Sequence, residues 1–302
     1  MSSFKWMAAT AAVAAFCCGC AVSQKTKVKP GEAPAALQTA TKEQLATEYN
    51  KLAAAVTSVN ATVTMKLTAG SAYSGVIEQY HEVNGFILAQ RPRSIRVIGQ
   101  APVVGKNIFD MVSDGETFHI YIPSKGKFIV GPANLERPAK KPVENLRPQH
   151  LLDAIFLPAI PQGAPLLFEE ASEGAGQYYV LTVIRRAADG GATNQGMAGS
   201  MDWEIARKIW FDRTDLSVAR TDEFGPGGKL ISDVRYSSWD TFEGAHYARQ
   251  ITFRRPGDDY QLEIGIKKLA VNEPVSADRF VLEQPAGTEL MDVGKESQEP
   301  QP

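Results

Sequence analysis

The sequence predicts a mainly β, α+β protein: one large antiparallel sheet with two helices laid against it. Short β-branched and aromatic runs separated by Gly, Pro, Asn and Asp fill most of the chain beyond residue 60. Neighbouring runs are joined by tight turns such as Asp114-Gly115 and Ser124-Lys125-Gly126, which link antiparallel strands, and the long crossovers of a parallel sheet are missing. Two stretches carry apolar residues at helical spacing instead.

The N-terminus is read separately. Lys5 precedes an apolar run from Trp6 to Phe16, the length of a secretory signal and too short to span a bilayer. All three cysteines, Cys17, Cys18 and Cys20, follow it directly. A metal knot, a redox pair and a processing site compete here; no His or fourth Cys lies nearby to complete a tetrahedral site. Gly19-Cys20 resembles the end of a bacterial lipobox, although Cys17 stands where Leu is usual. Residues 1–19 are thus expected to be a lipoprotein signal peptide and Cys20 the lipidated first residue of the mature chain. Several acyl chains at about 0.8 kcal/mol per buried methylene anchor stably where one chain does not. Ala21 and Val22 after the cysteine, rather than Asp, resemble an outer-membrane address.

Removing residues 1–19 takes away Lys5 alone, shifting the formal charge from −2 to −3. That balance excludes a basic nucleic-acid surface. The exported domain has no cysteine for a disulfide, so its own core must hold it, and the chain is long enough to bury one.

Residues 20–40 read as the lipidated Cys and a flexible tether, polar and rich in Ala, Pro and Lys. At Thr41 a helix begins: Thr41 suits the N-cap, Glu43 and Gln44 the first turn, and Leu45, Tyr49, Leu52 and Val56 form its stripe. Strand runs follow at 61–67, 76–88, 94–98, 108–113, 117–122 and 127–130. A second, short helix is expected in RPQHLLDAIFLP, where Leu151, Leu152, Ile155 and Phe156 line one side between Pro148 and Pro158. Strands resume at 166–169, 178–185, 204–211, 218–224, 230–236, 248–254 and 260–271. The Gly- and Ala-rich stretch 187–200 reads as a loop, and 291–302 as a polar tail closing a single domain over 41–290.

No catalytic pattern is present. The four histidines, His81, His119, His150 and His246, are scattered and read as surface residues. No nucleophile elbow or dinucleotide fingerprint occurs, and GPGGK at 225–229 lacks P-loop spacing and reads as a hairpin turn. Strand alternation assigns the carboxylates to solvated faces. Neither a cofactor nor a metal is called for.

Three stretches, in order, carry a family resemblance. VSDGETFHIYIP, Val112 to Pro123, is similar to the strand-turn-strand signature of the Lol lipoprotein-carrier superfamily, the LolA/LolB-like fold. ILAQRPRSIRVIGQAP, Ile87 to Pro102, resembles its strand ending in Arg-Pro, followed by another strand and a second Pro. VNEPVSADRFVLEQPAG, Val271 to Gly287, resembles its closing pattern of Asn, a polar turn, Phe and Pro-x-Gly.

The resemblance implies an open, half-barrel antiparallel sheet of about 11–12 strands with helices as a lid over an apolar cavity. The cavity and lid residues would be Leu45, Tyr49, Leu52, Val56, Leu151, Leu152, Ile155 and Phe156. In the soluble carrier of the family, the Arg of Arg-Pro holds the lid by hydrogen bonds to lid-helix backbone, which makes Arg91 the matching lid-latch candidate; by itself Arg91 also reads as an edge-strand cation before Pro92. A lipid-anchored member resembles the membrane-bound acceptor, which needs a bilayer contact; Leu157 in IFLPAIP and Trp203 beside the Gly-rich loop are the candidates, with core and loop as their plain readings. The implied partners are acyl chains of lipoproteins or other lipids and a soluble periplasmic carrier, at the periplasmic face of the outer membrane. The other reading is an envelope sensor or protein-interaction module on the same fold. The segments 132–150 and 187–203 are longer than the carrier pattern.

Overall fold

A computed structural model describes residues 36–71, 76–133, 147–187 and 203–296. The expected signal segment, Cys20, residues 21–35 of the expected tether and the Gly-rich stretch around Met197 and Met201 lie outside them; residues 36–40 of that expected tether are described, and Gln38 N donates to Arg213 O at 2.7 Å.

Helix α1, Lys42–Ala55, opens the domain. Thr41 and Gln44 form a reciprocal capping box: Gln44 N donates to Thr41 Oγ1 at 3.3 Å and Thr41 N to Gln44 Oε1 at 2.8 Å. Strands β1 (Ser58–Ser71), β2 (Val76–Gln79), β3 (Val83–Gln90), β4 (Ser94–Gln100), β5 (Asn107–Ser113), β6 (Thr117–Ile122) and β7 (Lys127–Pro132) follow. Helix α2, Pro148–Ile155, starts with Pro at its first position, where no backbone N–H is needed. Then come β8 (Leu166–Glu173), β9 (Gly176–Arg186), β10 (Trp203–Asp212), β11 (Val218–Phe224), β12 (Leu230–Phe242), β13 (Ala245–Arg255), β14 (Tyr260–Val271), β15 (Glu289–Asp292) and one final turn, α3 (Val293–Glu296).

All fifteen strands belong to one sheet in the order β15-β7-β6-β5-β4-β3-β1-β14-β13-β12-β11-β10-β9-β8, with β2 added on β1. The end strands β15 and β8 do not pair, so the antiparallel barrel is open. Fifteen strands stand against the 11–12 expected. The run 76–88 is broken at 80–82 into β2 and β3, and β15 joins β7 in parallel after a long connection. Elements therefore continue to Glu296, beyond the expected start of the tail at 291.

Side chains of one face converge into a single core that also takes in both helices: Val63 and Met65 of β1, Ile95 and Val97 of β4, Leu181 of β9, Ile209 of β10, Phe253 of β13 and Ile264 of β14. Alternation along each strand places these residues on the concave side. A smaller cluster of Leu88, Val112 and Phe280 on the opposite face holds the chain after β14.

Three carboxylates depart from the solvated-face expectation. Asp110, Asp222 and Asp233 are buried because arginines from neighbouring strands fold over them. Arg96 grips Asp110 at 3.0 and 2.7 Å. Asp222 and Asp233 face each other across β11 and β12, and Arg220 reaches both, at 2.7 and 3.2 Å. Arg235 and Arg254 also reach Asp233, at 3.5 and 3.3 Å.

Candidate functional site

The two helices meet above the concave face next to the end of β3, where Arg91 stands. Its guanidinium donates from Nε to Val56 O at 3.1 Å and from Nη2 to Ala53 O at 3.0 Å and Leu157 O at 3.1 Å. The first two acceptors are carbonyls at the end of α1, which a helix leaves unsatisfied; the third belongs to the segment after α2. Asn272, at φ 61°, completes that end by donating to Ala55 O at 2.8 Å and accepting from Thr57 N at 2.8 Å. The Arg91 guanidinium also lies 4.8 Å from the centre of the Phe156 ring. Burial lowers the Arg91 pKa, and among the described residues no carboxylate pairs with it.

Leu45, Tyr49, Val56, Leu151, Leu152, Ile155 and Phe156 are buried in the core, and Leu52 is half-buried against it. They fill the concavity instead of lining an empty one. What remains is a crevice of about 20 Å³ bounded by Leu52, Val56, Arg91, Phe156, Trp239 and Tyr247, room for about one water molecule.

The α2 segment is held largely through its main chain. Tyr236 Oη donates to Ala154 O at 3.2 Å and Tyr247 Oη to Ile155 O at 2.7 Å. Pro158 O accepts from Tyr49 Oη at 2.9 Å and Arg207 Nη1 at 2.7 Å. Asn50 pairs with both Ile160 N and Ile160 O, at 2.8 and 3.2 Å. Arg207 is itself paired with Glu223, whose carboxyl is pushed up by burial against the pull of that arginine. Burial also raises the phenols of Tyr49, Tyr236 and Tyr247, so they act as neutral donors.

The Ser-Asp-Gly turn touches the same lid. Asp114 Oδ1 accepts from Glu116 N and Thr117 N at 2.8 and 2.9 Å, and Gly115 takes φ 98°. Gln149 at the start of α2 donates to Ser113 Oγ at 2.8 Å, tying helix to hairpin. His150 departs from the surface reading: its Nδ1 lies 2.9 Å from Tyr260 Oη, and burial, with Arg255 and Arg147 nearby, lowers its pKa to about 3.

The two expected membrane contacts separate. Leu157 is 8% exposed and belongs to the core, because Pro158 ends α2 and turns its flank back under Arg91; this corrects the expectation. Trp203 is 50% exposed beside Arg186. Among the described residues, the most exposed large apolar side chains lie elsewhere, at the tip between β4 and β5: Val103 is 95% and Val104 75% exposed. Two valines between Pro102 and Gly105 are a readable signal, since turn chemistry brackets apolar residues that no strand can bury.

Among the described residues no group of three His, Cys, Asp or Glu could hold a metal ion, and no helix is long and apolar enough to cross a membrane.

Solved structures with a similar fold include a LolA superfamily protein from Nitrosomonas europaea (12% identity, 81% of this chain and 99% of that one, TM-score 0.45). Others are a putative outer membrane lipoprotein-sorting protein domain from Vibrio parahaemolyticus (10%, 78% and 94%, 0.46) and a DUF1329 family protein from Desulfovibrio piger (13%, 78% and 94%, 0.44). At these identities the likeness is one of fold. No family model and no curated protein matches the sequence.

Proposed function

We propose that this chain is a lipoprotein of the cell envelope, lipidated at Cys20 and held on the periplasmic face of the outer membrane, that takes acyl chains beneath its two helices and so receives or carries lipoproteins or other lipids. The observation that carries this reading is an apolar concave face covered by two helical segments whose polar attachments are side-chain hydrogen bonds. A ligand pocket has a volume of about 300–1,000 Å³, so the crevice at Arg91 is that of a closed state. Lifting α2 and its flank to Ile160 would vacate the space of Leu151, Ile155 and Phe156, and an acyl chain would restore the lost burial at about 25 cal/mol per Å². Arg91 is the latch in this reading, because it bonds both the end of α1 and the flank of α2. The Val103-Val104 tip supplies the bilayer contact, with Trp203 as a second.

The test is native mass spectrometry with lipid extraction on a chain beginning at Ala21, which retains every described residue, expressed in the periplasm. Co-purifying acyl ligand that is lost in Phe156→Asp is the expected result. A ligand-free protein that acquires none from vesicles would favour the second reading, a sensor or interaction module. The feature that favours that module is the open sheet edge at β8, where Leu167 is 59% exposed. Cys20→Ala should abolish acylation and release the protein to the periplasm, and a variant that still carried lipid would place the anchor elsewhere.

A further inference from the structure

The lid is fastened mainly by donors from the sheet and α1 into the segment 154–160; Ile160 N, which donates to Asn50 Oδ1, runs the other way. Its carbonyls at Ala154, Ile155, Leu157 and Pro158 each accept from a side chain below. Three of those donors, Tyr236, Tyr247 and Arg91, line one crevice together with Leu52, Val56 and Phe156. If the segment lifts, Tyr236 and Tyr247 lose the carbonyl acceptors it supplies, and Arg91 loses one of its three. A buried donor left unsatisfied costs about 1–3 kcal/mol. A bare hydrocarbon entering the cavity would incur that cost at every donor, whereas a ligand with suitably placed oxygens would not.

Charge sharpens the requirement. The other arginine under the lid, Arg207, is neutralised by Glu223. The Arg91 guanidinium hydrogen-bonds carbonyls, those of Ala53, Val56 and Leu157, and is paired with no carboxylate among the described residues; Leu157 O and the Phe156 ring against it depart with the lid. An arginine keeps its charge at every physiological pH, and its planar fork suits the paired oxygens of a carboxylate or phosphate. A buried cation without a counter-ion is costly, and an anionic group is what relieves it.

Resting on the acyl-binding reading above, we infer that Arg91, Tyr236 and Tyr247 form a preorganised seat for the anionic oxygen head of an amphiphile, a carboxylate or a phosphate, whose acyl chain lies where Leu151, Ile155 and Phe156 now pack. Lid carbonyls and ligand oxygens then compete for the same donors, so an oxygen-bearing head opens the lid by replacing its bonds. A site built around hydrogen-bond donors rejects an analogue lacking the matching acceptors far more strongly than an apolar pocket rejects a missing methylene.

The experiment is a titration of the chain beginning at Ala21 with three probes below their micelle concentrations: palmitate, palmitoyl-lysophosphatidylglycerol and hexadecanol. At least one anion should bind tenfold or more tightly than hexadecanol, and which one does so separates carboxylate from phosphate. The double variant Tyr236→Phe/Tyr247→Phe, which keeps both rings in the core, should reduce that preference several-fold. Arg91→Met should erase it, so that within this variant the anions bind no more tightly than hexadecanol. Equal binding of all three probes, unaltered in the double variant, would overturn the anionic seat and leave the acyl-binding reading standing. Binding of none would overturn both.

Discussion

The two helices covering the concave face are secured by different chemistry. α1 is fourteen residues long, carries a complete capping box and buries Leu45, Tyr49 and Ala53 at four-residue spacing. Val56 and Thr57 alone separate it from β1, and Arg91 and Asn272 bind its last carbonyls. α2 is eight residues long, has no side-chain cap at Arg147, and is connected to the sheet by longer segments on both sides. Helices that short are not stable alone, so α2 stays folded only while docked. Its apolar residues are buried as deeply as those of α1, yet its main chain is held by side chains that can change partner. The contrast teaches that depth of burial and mode of attachment are separate properties: α1 carries its own cap, whereas α2 depends on side chains of other elements, and in the proposed reading α2 is the half of the lid that leaves.

The largest effect tests this directly. Leu45→Ala should lower the free energy of unfolding by about 2–5 kcal/mol, the usual cost of a large-to-small change in a core. Leu151 is 0% exposed and would cost as much if α2 stayed docked. Its loss is instead bounded by the docking free energy of the segment. Leu151→Ala should therefore give the smaller shift in urea midpoint, with fast amide exchange confined to residues 148–160. Equal shifts without local exchange would mean that both helices unfold with the sheet, and the contrast would fail.

Arg91→Met probes a side chain shared by the two halves. It leaves three carbonyls without their donor, and the expected loss is about 1–3 kcal/mol. Limited proteolysis should then cut within 148–160 first, because Asn272 still holds the end of α1. Cleavage near Ala55 before 148–160 would reverse the assignment of the movable half.

The sheet was legible because alternation and turn chemistry are local: the hairpins at Asp114-Gly115 and Gly126 read directly. The break at 80–82 was missed because Tyr80, His81 and Glu82 are not turn formers, and β15 because a four-residue strand after a long loop has no pattern of its own. Arg91 drew notice only through the family resemblance; nothing in its neighbours marks it. Tyr236 and Tyr247 were invisible as donors, since an aromatic on a strand reads as core, and its hydroxyl acquires meaning only from the carbonyl the tertiary fold sets above it. Leu157 misled for the complementary reason. Its apolar neighbourhood next to prolines is the same whether the chain turns outward to a membrane or back into the barrel.

A smaller effect separates the halves by pH. His150 lies on α2 beside Tyr260, with Arg147 and Arg255 as the nearby cations, and its pKa falls from 6.5 to about 3. The unfolded or undocked histidine takes up a proton that the docked one refuses. Stability is thus fully present above pH 6.5 and is lost as pH falls toward 3, by up to about 1.4 kcal/mol per unit. Acidification from pH 7.5 to 5 should accelerate amide exchange in α2 before α1, and His150→Gln should flatten that response. An unchanged pH profile in the variant would mean that other groups govern the acid sensitivity.

The smallest expected effect on stability lies outside the lid. Val103 and Val104 project from the tip between β4 and β5 and rest on no core, so Val103→Ser/Val104→Ser should change stability by no more than about 0.5 kcal/mol. Exchange in α1 and α2 should be the same as in the parent chain. Binding of a chain beginning at Ala21 to phospholipid vesicles should nevertheless fall several-fold, because two exposed valines lose the apolar surface they would bury in a bilayer. If vesicle binding persisted and instead followed the lid, rising in Arg91→Met, the apolar underside of α2 would be the membrane-seeking surface. The tip would then be an ordinary turn, and the movable half of the lid would carry both the cargo site and the bilayer contact.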